Sequence, residues 1–350
     1  MQGFAIDGKK VGQGAHAFVI AEIGSNFDGS MEKAKRLIDA AASAGADAVK
    51  FQTFSAEKII TAKAEKPAYQ KNRESDSETY QQSLKKFEIS KEGHFMLKEH
   101  CRKAGVIFLS TPHSGKESLA ILEELGVGAF KIGSGDITNI QFLGFAASKK
   151  KPVLLSTGMA TLPEISAAVS AVRKTGNNKI LLFQCTSEYP CPVENVNLLA
   201  MKTLQKKFRV PVGLSDHTTS VAVPVAAVAL GASAIEKHFT LNRNDKGPDH
   251  RASVEPEEFA RMVSYIREAE KALGSAEKKP NDSELKLAET ARKSIVAAAD
   301  INAGETVSAE KLEIKRPGTG IKPSDIAKVI GKKAKLRIEK DSIISFDDLV

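Results

Sequence analysis

The sequence predicts an α/β fold: a (β/α)8 TIM barrel followed by a small, mostly β domain. Eight short apolar runs alternate with amphipathic segments over about 260 residues, the number and size expected for such a barrel. The runs are continuously apolar, as is typical of parallel strands covered by helices. A doubly wound open sheet is the alternative, but it would more often show a glycine-rich dinucleotide loop after its first strand. The segment 21–26 (AEIGSN) is not such a loop.

The predicted elements follow one another in a regular order. A hairpin is predicted over 3–16, because Asp7-Gly8 is a favoured turn between two short β-like runs. Barrel strands are predicted at 17–23, 46–53, 106–111, 129–133, 152–157, 179–185, 210–214 and 232–239. Helices are predicted at 30–44, 91–104, 115–125, 139–149, after a capping box at 161–164, and at 195–207, 219–230 and 255–272. The last helix is expected to bury Leu273 with the apolar residues that precede it.

Two polar stretches interrupt this pattern. The connection after the second strand is long and irregular around 68–80, which predicts a functional loop. A charged, turn-rich stretch after the last helix predicts a boundary between domains. We therefore expect a catalytic barrel over 1–276, a linker over 277–292 and a β domain over 293–350 with little core of its own.

Composition restricts the classes of function. The chain of 350 residues has a formal net charge of +8, but its charges are mixed along the sequence, which disfavours nucleic acid as a partner and suits a small anionic substrate. Three cysteines suggest a reducing compartment. No signal peptide and no apolar stretch of membrane-spanning length is evident, so we predict a cytoplasmic protein with no membrane partner.

Polar residues stand where the predicted strands end, the place where barrels of this type carry their active sites. Lys50 and Lys131 are costly to bury without a function, and both are candidates for holding a phosphate or carboxylate. Hydroxyl residues at these ends could bind the same groups or serve as caps and turns. The further strand-end candidates are Gln52, Ser110, Thr111, Ser134, Asp136, Ser156, Thr157, Cys185 to Tyr189, Ser215 and Lys237.

Two histidines end the last two predicted strands. His217 and His238 could bind one divalent metal with an open position for water or substrate. They could equally be a hydrogen-bonded pair in the core. Glu22, at the end of the first strand, could act as a general base or form a salt bridge with a lysine. Asp216 could orient an imidazole or cap the next helix.

The ordered motifs resemble the sialic acid synthase, or nonulosonate synthase, family over essentially the whole chain. The segments that carry this resemblance are 20–24 (IAEIG), 45–52 (GADAVKFQ), 109–112 (LSTP), 131–135 (KIGSG), 155–159 (LSTGM), 184–190 (QCTSEYP), 213–218 (GLSDHT), 236–239 (EKHF) and 247–250 (GPDH). The C-terminal segment, with 315–320 (KRPGTG), resembles the antifreeze-like (SAF) domain of that family.

The resemblance implies condensation of phosphoenolpyruvate with an N-acetylated mannose-type sugar and release of phosphate. It assigns phosphoenolpyruvate to Lys50, Thr111, Lys131, Ser134, Ser156 and Ser215, and a divalent metal, manganese or magnesium, to His217 and His238. It places Glu22, Gln52, Tyr189 and Asp249 beside the sugar and the reacting water, with Glu22 and then Asp136 as candidates for proton transfer. Arg316 would reach the N-acyl group from the partner subunit of a domain-swapped homodimer.

The chain departs from the family near the sugar. Asp136 stands where glutamate is frequent, and Ser75 and Ser187 stand where some members have asparagine. N-acetylmannosamine and the diacetamido trideoxy sugars that lead to legionaminic or pseudaminic acid therefore all remain open. A Schiff-base aldolase using Lys50 or Lys131, and a sugar-binding protein without catalysis, are the competing classes.

Overall fold

The computed structural model describes residues 3–67 and 78–350, and it confirms the barrel. Eight parallel strands form one sheet: β3 (Phe18–Glu22), β4 (Ala48–Thr53), β5 (Ile107–Pro112), β6 (Phe130–Ile132), β7 (Val153–Ser156), β8 (Ile180–Cys185), β9 (Val212–Asp216) and β10 (Ala234–His238). The first and last of them, β3 and β10, pair side by side, and β5 and β6 contact each other at the remaining join. The eight strands thus follow one another around a ring in chain order.

Helices alternate with these strands as predicted, and two further short helices lie in the long connection between β4 and β5. The helices are α1 (Met31–Ser43), α2 (Ala56–Ile59), α3 (Tyr80–Lys85), α4 (Lys91–Ala104), α5 (Lys116–Leu125), α6 (Ile140–Ser148), α7 (Leu162–Lys174), α8 (Ala200–Phe208), α9 (Ala222–Ala229) and α10 (Pro256–Leu273). The predicted capping box is present before α7, where Glu164 bonds the Thr161 backbone N–H. The expectation for Leu273 was wrong. Leu273 lies on the same helix face as Ile266, but its side chain is exposed because it is the last residue of the helix.

The predicted hairpin consists of β1 (Phe4–Ile6) and β2 (Lys9–Val11). Both turn residues, Asp7 and Gly8, have positive φ angles of 42° and 85°, the conformation that the aspartate-glycine pair favours. Ile6 and Val11 of the hairpin pack with the inward-facing residues of the barrel strands. The hairpin therefore closes the N-terminal end of the barrel with apolar side chains.

The inward face of each strand changes character along its length. Phe18, Ile20, Ala48 and Ala234 belong to the apolar filling of the barrel. Because side chains alternate between the two faces of a strand, the next inward positions are Glu22, Lys50 and Glu236. The interior of the barrel is thus apolar toward the N-terminal ends of the strands and charged at their C-terminal ends, which form the mouth.

Register brings the mouth residues to one level. Glu22 pairs in register with Lys50 on one side and with His238 on the other. Glu236 pairs in register with Ser215. Side chains from distant parts of the sequence consequently surround one space.

The chain divides into two compact units, Met1–Gly274 and Ser275–Val350. The second unit begins with a helix, α11 (Asp282–Ala291), inside the stretch predicted as a linker. It continues with the antiparallel strands β11 (Ser294–Ala297) and β12 (Leu312–Lys315) and has a core of its own that includes Ile295, Val307 and Val329. Among the described residues, no helix combines the length and apolar character needed to cross a membrane.

Candidate active site

Two lysines and two glutamates form a buried cluster at the mouth of the barrel. Lys50 Nζ lies 2.8 Å from Glu22 Oε2 and 3.9 Å from Glu236 Oε1. Lys131 Nζ lies 3.2 Å from the same Glu236 oxygen. Glu236 is therefore the acceptor that the two lysines share, and each charge in the cluster has a partner of opposite sign.

Burial and charge act against each other in this cluster. Burial raises the pKa of Glu22 above its ordinary value, although Lys50 opposes the shift. Burial would also raise the pKa of Glu236, but Lys131 and Lys50 together lower it. The proton is thus held more readily by Glu22, which places this carboxyl nearer to the pH range where it can exchange protons. Burial lowers the pKa of Lys131, whereas the two glutamates outweigh burial at Lys50 and raise its pKa.

Hydroxyl groups extend the cluster around the mouth. Lys50 donates to Thr111 Oγ1 at 3.1 Å and Lys131 donates to Ser156 Oγ at 2.8 Å. Ser215 donates to Glu236 Oε1 at 3.1 Å. These contacts bring together three of the predicted hydroxyl residues and both predicted lysines. An anion that enters this space would meet two ammonium groups and several hydroxyl donors.

Ser134 stands beside this group on the turn after β6. It accepts a hydrogen bond of 3.0 Å from the Gly158 backbone N–H. A Cβ atom on Gly158 would lie 2.8 Å from Ser134 Oγ and 2.4 Å from Ser187 Oγ, closer than side chains approach one another. Gly158 is thus required for the close approach of these two serines.

Three further polar side chains meet above Gly24. A Cβ atom there would lie 3.0 Å from Glu22 Oε1 and 3.3 Å from both Gln52 Nε2 and Asp249 Oδ2. Gly24 has a φ of 50°, so glycine meets both the conformational and the steric requirement of this position. Asp249 also accepts a hydrogen bond of 2.9 Å from Ser25 Oγ. Glu22, Gln52 and Asp249 thus converge at Gly24.

The two histidines lie next to each other at the ends of the neighbouring strands β9 and β10. The ring centroids of His217 and His238 are 5.4 Å apart, and the Tyr189 ring lies 4.0 Å from His217 and 5.7 Å from His238. Burial lowers the pKa of both imidazoles to about 3, helped by His238 at His217 and by Lys50 at His238. Both rings are therefore neutral near pH 7, the form that binds a metal.

The hydrogen bonds of the two rings fit a metal site better than a core pair. His217 Nδ1 lies 2.6 Å from the Thr186 carbonyl oxygen, so this nitrogen carries the proton and Nε2 keeps its lone pair. His238 Nδ1 is buried without a hydrogen-bond partner in the part of the chain that the structure describes. Asp249 Oδ2 approaches this nitrogen to 4.0 Å. A cation bound between the two rings could accept the lone pairs of His238 Nδ1 and His217 Nε2 and give the buried nitrogen the partner it lacks.

The role of Asp216 becomes clear in the structure. Its carboxylate accepts hydrogen bonds from the Thr218 backbone N–H at 2.9 Å and from Lys237 Nζ at 2.6 Å. Lys237 also donates to the carbonyl oxygens of Thr218 and Ser220, at 2.6 and 3.0 Å. Asp216 thus fixes the turn that carries His217 without bonding the imidazole. Lys237 points away from the mouth and is part of this support.

A second group of possible metal ligands lies outside this mouth. Asp28, Asp245 and His250 form the one cluster of three such residues found in 3–67 and 78–350. Lys33 Nζ lies 2.5 Å from Asp28 and 2.6 Å from Asp245, and His250 lies 3.1 Å from Asp28. The Lys33 ammonium group already occupies the space between the two carboxylates as their shared partner. We interpret this cluster as a brace for the loop that presents Asp249.

The contacts described above do not include three of the predicted residues. Asp136 lies in the turn after β6, where it accepts a hydrogen bond of 3.4 Å from Asn139, and no ion pair joins it to the cluster among the described residues. Arg316 is exposed in the second unit. Ser75 lies outside the described residues. Conversely, Glu236 has a central position that the sequence analysis did not assign. Strand alternation could have indicated it, because Glu236 and His238 are two positions apart and share the inward face.

Known proteins contain the same combination of domains. Residues 37–278 match the NeuB family and residues 292–350 match the SAF domain. The chain is 43% identical to the N,N'-diacetyllegionaminic acid synthase of Legionella pneumophila, over 97% of each chain. It is 38% identical to the N-acetylneuraminate-9-phosphate synthase of Mus musculus, over 96% of this chain and 94% of the mouse protein.

A solved structure agrees with these matches. The N-acetylneuraminic acid synthetase of Leptospira borgpetersenii, determined with citrate, superposes with a TM-score of 0.73 at 35% identity, covering 82% of this chain and 95% of the other. The family match extends over more than half of the chain and includes β4, β6 and β10, which carry Lys50, Lys131 and Glu236. The chain is therefore an enzyme of the NeuB family, the sialic acid synthases, with a C-terminal SAF domain.

Proposed function

We propose that this enzyme condenses phosphoenolpyruvate with an acetamido sugar and water, giving a nonulosonic acid and phosphate. The observation that carries the proposal is the position of the Lys50–Glu22–Glu236–Lys131 cluster beside two neutral histidines at one end of the barrel. The names of the relatives point to the same product class. Carbon 3 of the enol attacks the sugar aldehyde, water adds at carbon 2, and the C–O bond to phosphate breaks.

Phosphoenolpyruvate would lie between the two lysines. Its phosphate and carboxylate together carry two to three negative charges, and Lys50 and Lys131 supply the opposing charge. Thr111, Ser156 and Ser215, each bonded to a member of the cluster, would turn their hydroxyl groups to the substrate. Ser134 would join them from the turn after β6.

The sugar and the reacting water would face Glu22. Burial raises the pKa of this carboxyl, as it does for Asp249, which stands around it together with Gln52. We assign proton transfer from the water to Glu22 rather than to Asp136, because Asp136 bonds only within its own turn among the described residues. Tyr189, which packs on His217, would bound the sugar on the other side.

His217 and His238 would hold the metal, manganese or magnesium. When bound there, a divalent cation would polarise the aldehyde oxygen of the open-chain sugar. The neutral rings and the unpartnered nitrogen of His238 support this assignment.

We also propose a domain-swapped homodimer in which Arg316 of the partner subunit contacts the N-acyl group of the sugar. Apolar side chains are exposed on the loops and helices that follow β7 and β8, including Met159 and Leu199 at 76% and 68%. They line a cavity of about 470 Å³ together with Thr157, which follows β7, and Cys185, the last residue of β8. A covering domain would remove this apolar surface from water.

For the acceptor we favour a diacetamido trideoxy sugar over N-acetylmannosamine. The legionaminic acid synthase of Legionella is more similar to this chain than the mouse neuraminate-9-phosphate synthase is, at 43% against 38%. A Schiff-base aldolase is disfavoured at Lys50, because that reaction needs a neutral amine and the carboxylates raise the pKa of Lys50.

The proposal is tested by phosphate release from phosphoenolpyruvate with manganese and a panel of acetamido sugars. The panel contains N-acetylmannosamine, its 6-phosphate and diacetamido trideoxy sugars. We expect release that depends on one sugar and on metal, with no imine trapped by borohydride and pyruvate. Trapping of a lysine, or no release with any sugar, would refute the assignment.

A further inference from the structure

His113 is a polar residue of the mouth to which the proposed reaction gives no role. It directly follows β5, one position beyond Pro112 and two beyond Thr111. Its backbone N–H donates to the Thr53 carbonyl oxygen at 3.0 Å, and the adjacent Ser114 accepts a hydrogen bond of 2.8 Å from the Ser55 backbone. The ends of β4 and β5 are thereby joined, and the backbone that carries the imidazole is fixed.

The imidazole lies against the turn that leads from Lys131 to Ser134. A Cβ atom on Gly133 would lie 3.2 Å from His113 Cε1 and 4.0 Å from Nδ1. The same Cβ would lie 3.7 Å from the Thr111 methyl group. His113 and Thr111 thus flank Gly133 together, on the side of the mouth where the anion-binding residues stand.

Both lysines of the cluster act on this ring. Burial lowers the pKa of His113 to about 3, and Lys50 and then Lys131 lower it further. The ring is therefore neutral near pH 7 and carries one N–H donor and one acceptor nitrogen. His113 is half-buried. No residue in 3–67 or 78–350 forms a hydrogen bond with either of its ring nitrogens. A donor that has no partner among these residues and lies beside the turn after Lys131 is suited to an anionic ligand.

Resting on the proposed function, we propose that His113 donates a hydrogen bond to the phosphate group of phosphoenolpyruvate. The phosphate, rather than the carboxylate, is assigned to this side because it carries more charge and can accept more hydrogen bonds. Lys131, Ser134 and Ser156 surround the same turn and would supply the other donors. His113 would thus help the enzyme to recognise the phosphate and to retain it until the C–O bond breaks.

The test measures binding of inorganic phosphate by calorimetry, together with KM for phosphoenolpyruvate and for the sugar. His113→Phe keeps an aromatic ring and removes both nitrogens. We expect its Kd for phosphate and its KM for phosphoenolpyruvate to rise about tenfold, because a hydrogen bond to a charged group is lost. KM for the sugar should stay unchanged. His113→Asn or His113→Gln, which return an amide N–H near one ring nitrogen, should recover most of the affinity.

The matched control is His100→Phe. His100 is on α4 with its ring nitrogen 2.7 Å from Asp39, outside the mouth, so phosphate affinity should not change. Wild-type phosphate affinity in His113→Phe, in a variant with a normal Tm, would overturn the assignment. Weakened binding of pyruvate with unchanged binding of phosphate would overturn it in favour of the carboxylate. If no sugar supports turnover but His113→Phe still weakens phosphate binding, the proposed function fails and the role of His113 stands.

Discussion

Metal affinity should be nearly independent of pH between 7 and 5. Proton competition is the main reason that histidine sites release metals in acid. In this enzyme burial lowers the pKa of His217 and His238 to about 3. Because the shift is downward, both rings stay neutral as the pH falls through 6.5, and they become charged only near pH 3.

The expected difference is large. For two exposed imidazoles with an ordinary pKa of about 6.5, the fraction with both rings neutral would fall roughly 600-fold between pH 7 and 5. With both pKa values near 3, that fraction changes by less than about twofold. Protonation of Glu22 over the same range removes a neighbouring negative charge and weakens metal binding separately, so the contribution of the two histidines is read from the Glu22→Gln variant.

The assay is titration of the metal-free enzyme with manganese by calorimetry at pH 7, 6 and 5 and constant ionic strength. Glu22→Gln, measured in parallel, removes the contribution of that carboxyl. His217→Ala should lose measurable affinity at every pH while the protein remains folded. A loss of affinity of more than about 100-fold between pH 7 and 5 would refute the argument that burial keeps these rings neutral.

Three other predictions follow from buried charges and from the proposed dimer. Lys237→Met should lower the free energy of unfolding in urea by about 3–5 kcal/mol, because it leaves Asp216 buried without its ion-pair partner. The double variant Lys237→Met, Asp216→Asn should recover much of this stability. Equal losses of stability in the single and the double variant would contradict the pairing. Glu22→Gln should abolish phosphate release. Calorimetry should show that the variant binds phosphoenolpyruvate at least as tightly as the wild type, because a carboxylate that competes for Lys50 is gone. Substantial turnover by this variant would exclude Glu22 as the base. Mixed dimers of Glu22→Gln and Arg316→Ala chains should regain part of the activity that each lacks, and no recovery would argue against a swapped site.

The fold could be predicted from the sequence because the barrel strands are continuous apolar runs with regular spacing. Boundaries were less accurate where a strand ends in polar residues. The seventh barrel strand was predicted over 210–214, but β9 is Val212–Asp216. Ser215 and Asp216 form the end of this strand because their backbone groups pair with the neighbouring strands. The hydrophobicity of the sequence does not indicate that pairing.

The residues of the site could be predicted more fully than their partners. Lys50, Lys131 and both histidines are unusual at the ends of apolar strands, and the structure brings them to one mouth. That both lysines share Glu236 follows from the register of β10 against its neighbours, which a single sequence does not contain.

The proposed reaction is condensation with loss of phosphate through C–O cleavage. It is tested most directly by one reaction with phosphoenolpyruvate labelled with oxygen-18 at the bridging position, a diacetamido trideoxy sugar and manganese, followed by mass spectrometry of both products. We predict a nonulosonic acid with the mass of the sugar plus pyruvate, without the label, and phosphate that carries it. Label in the acid, or pyruvate and unchanged sugar as the only organic products, would contradict the account.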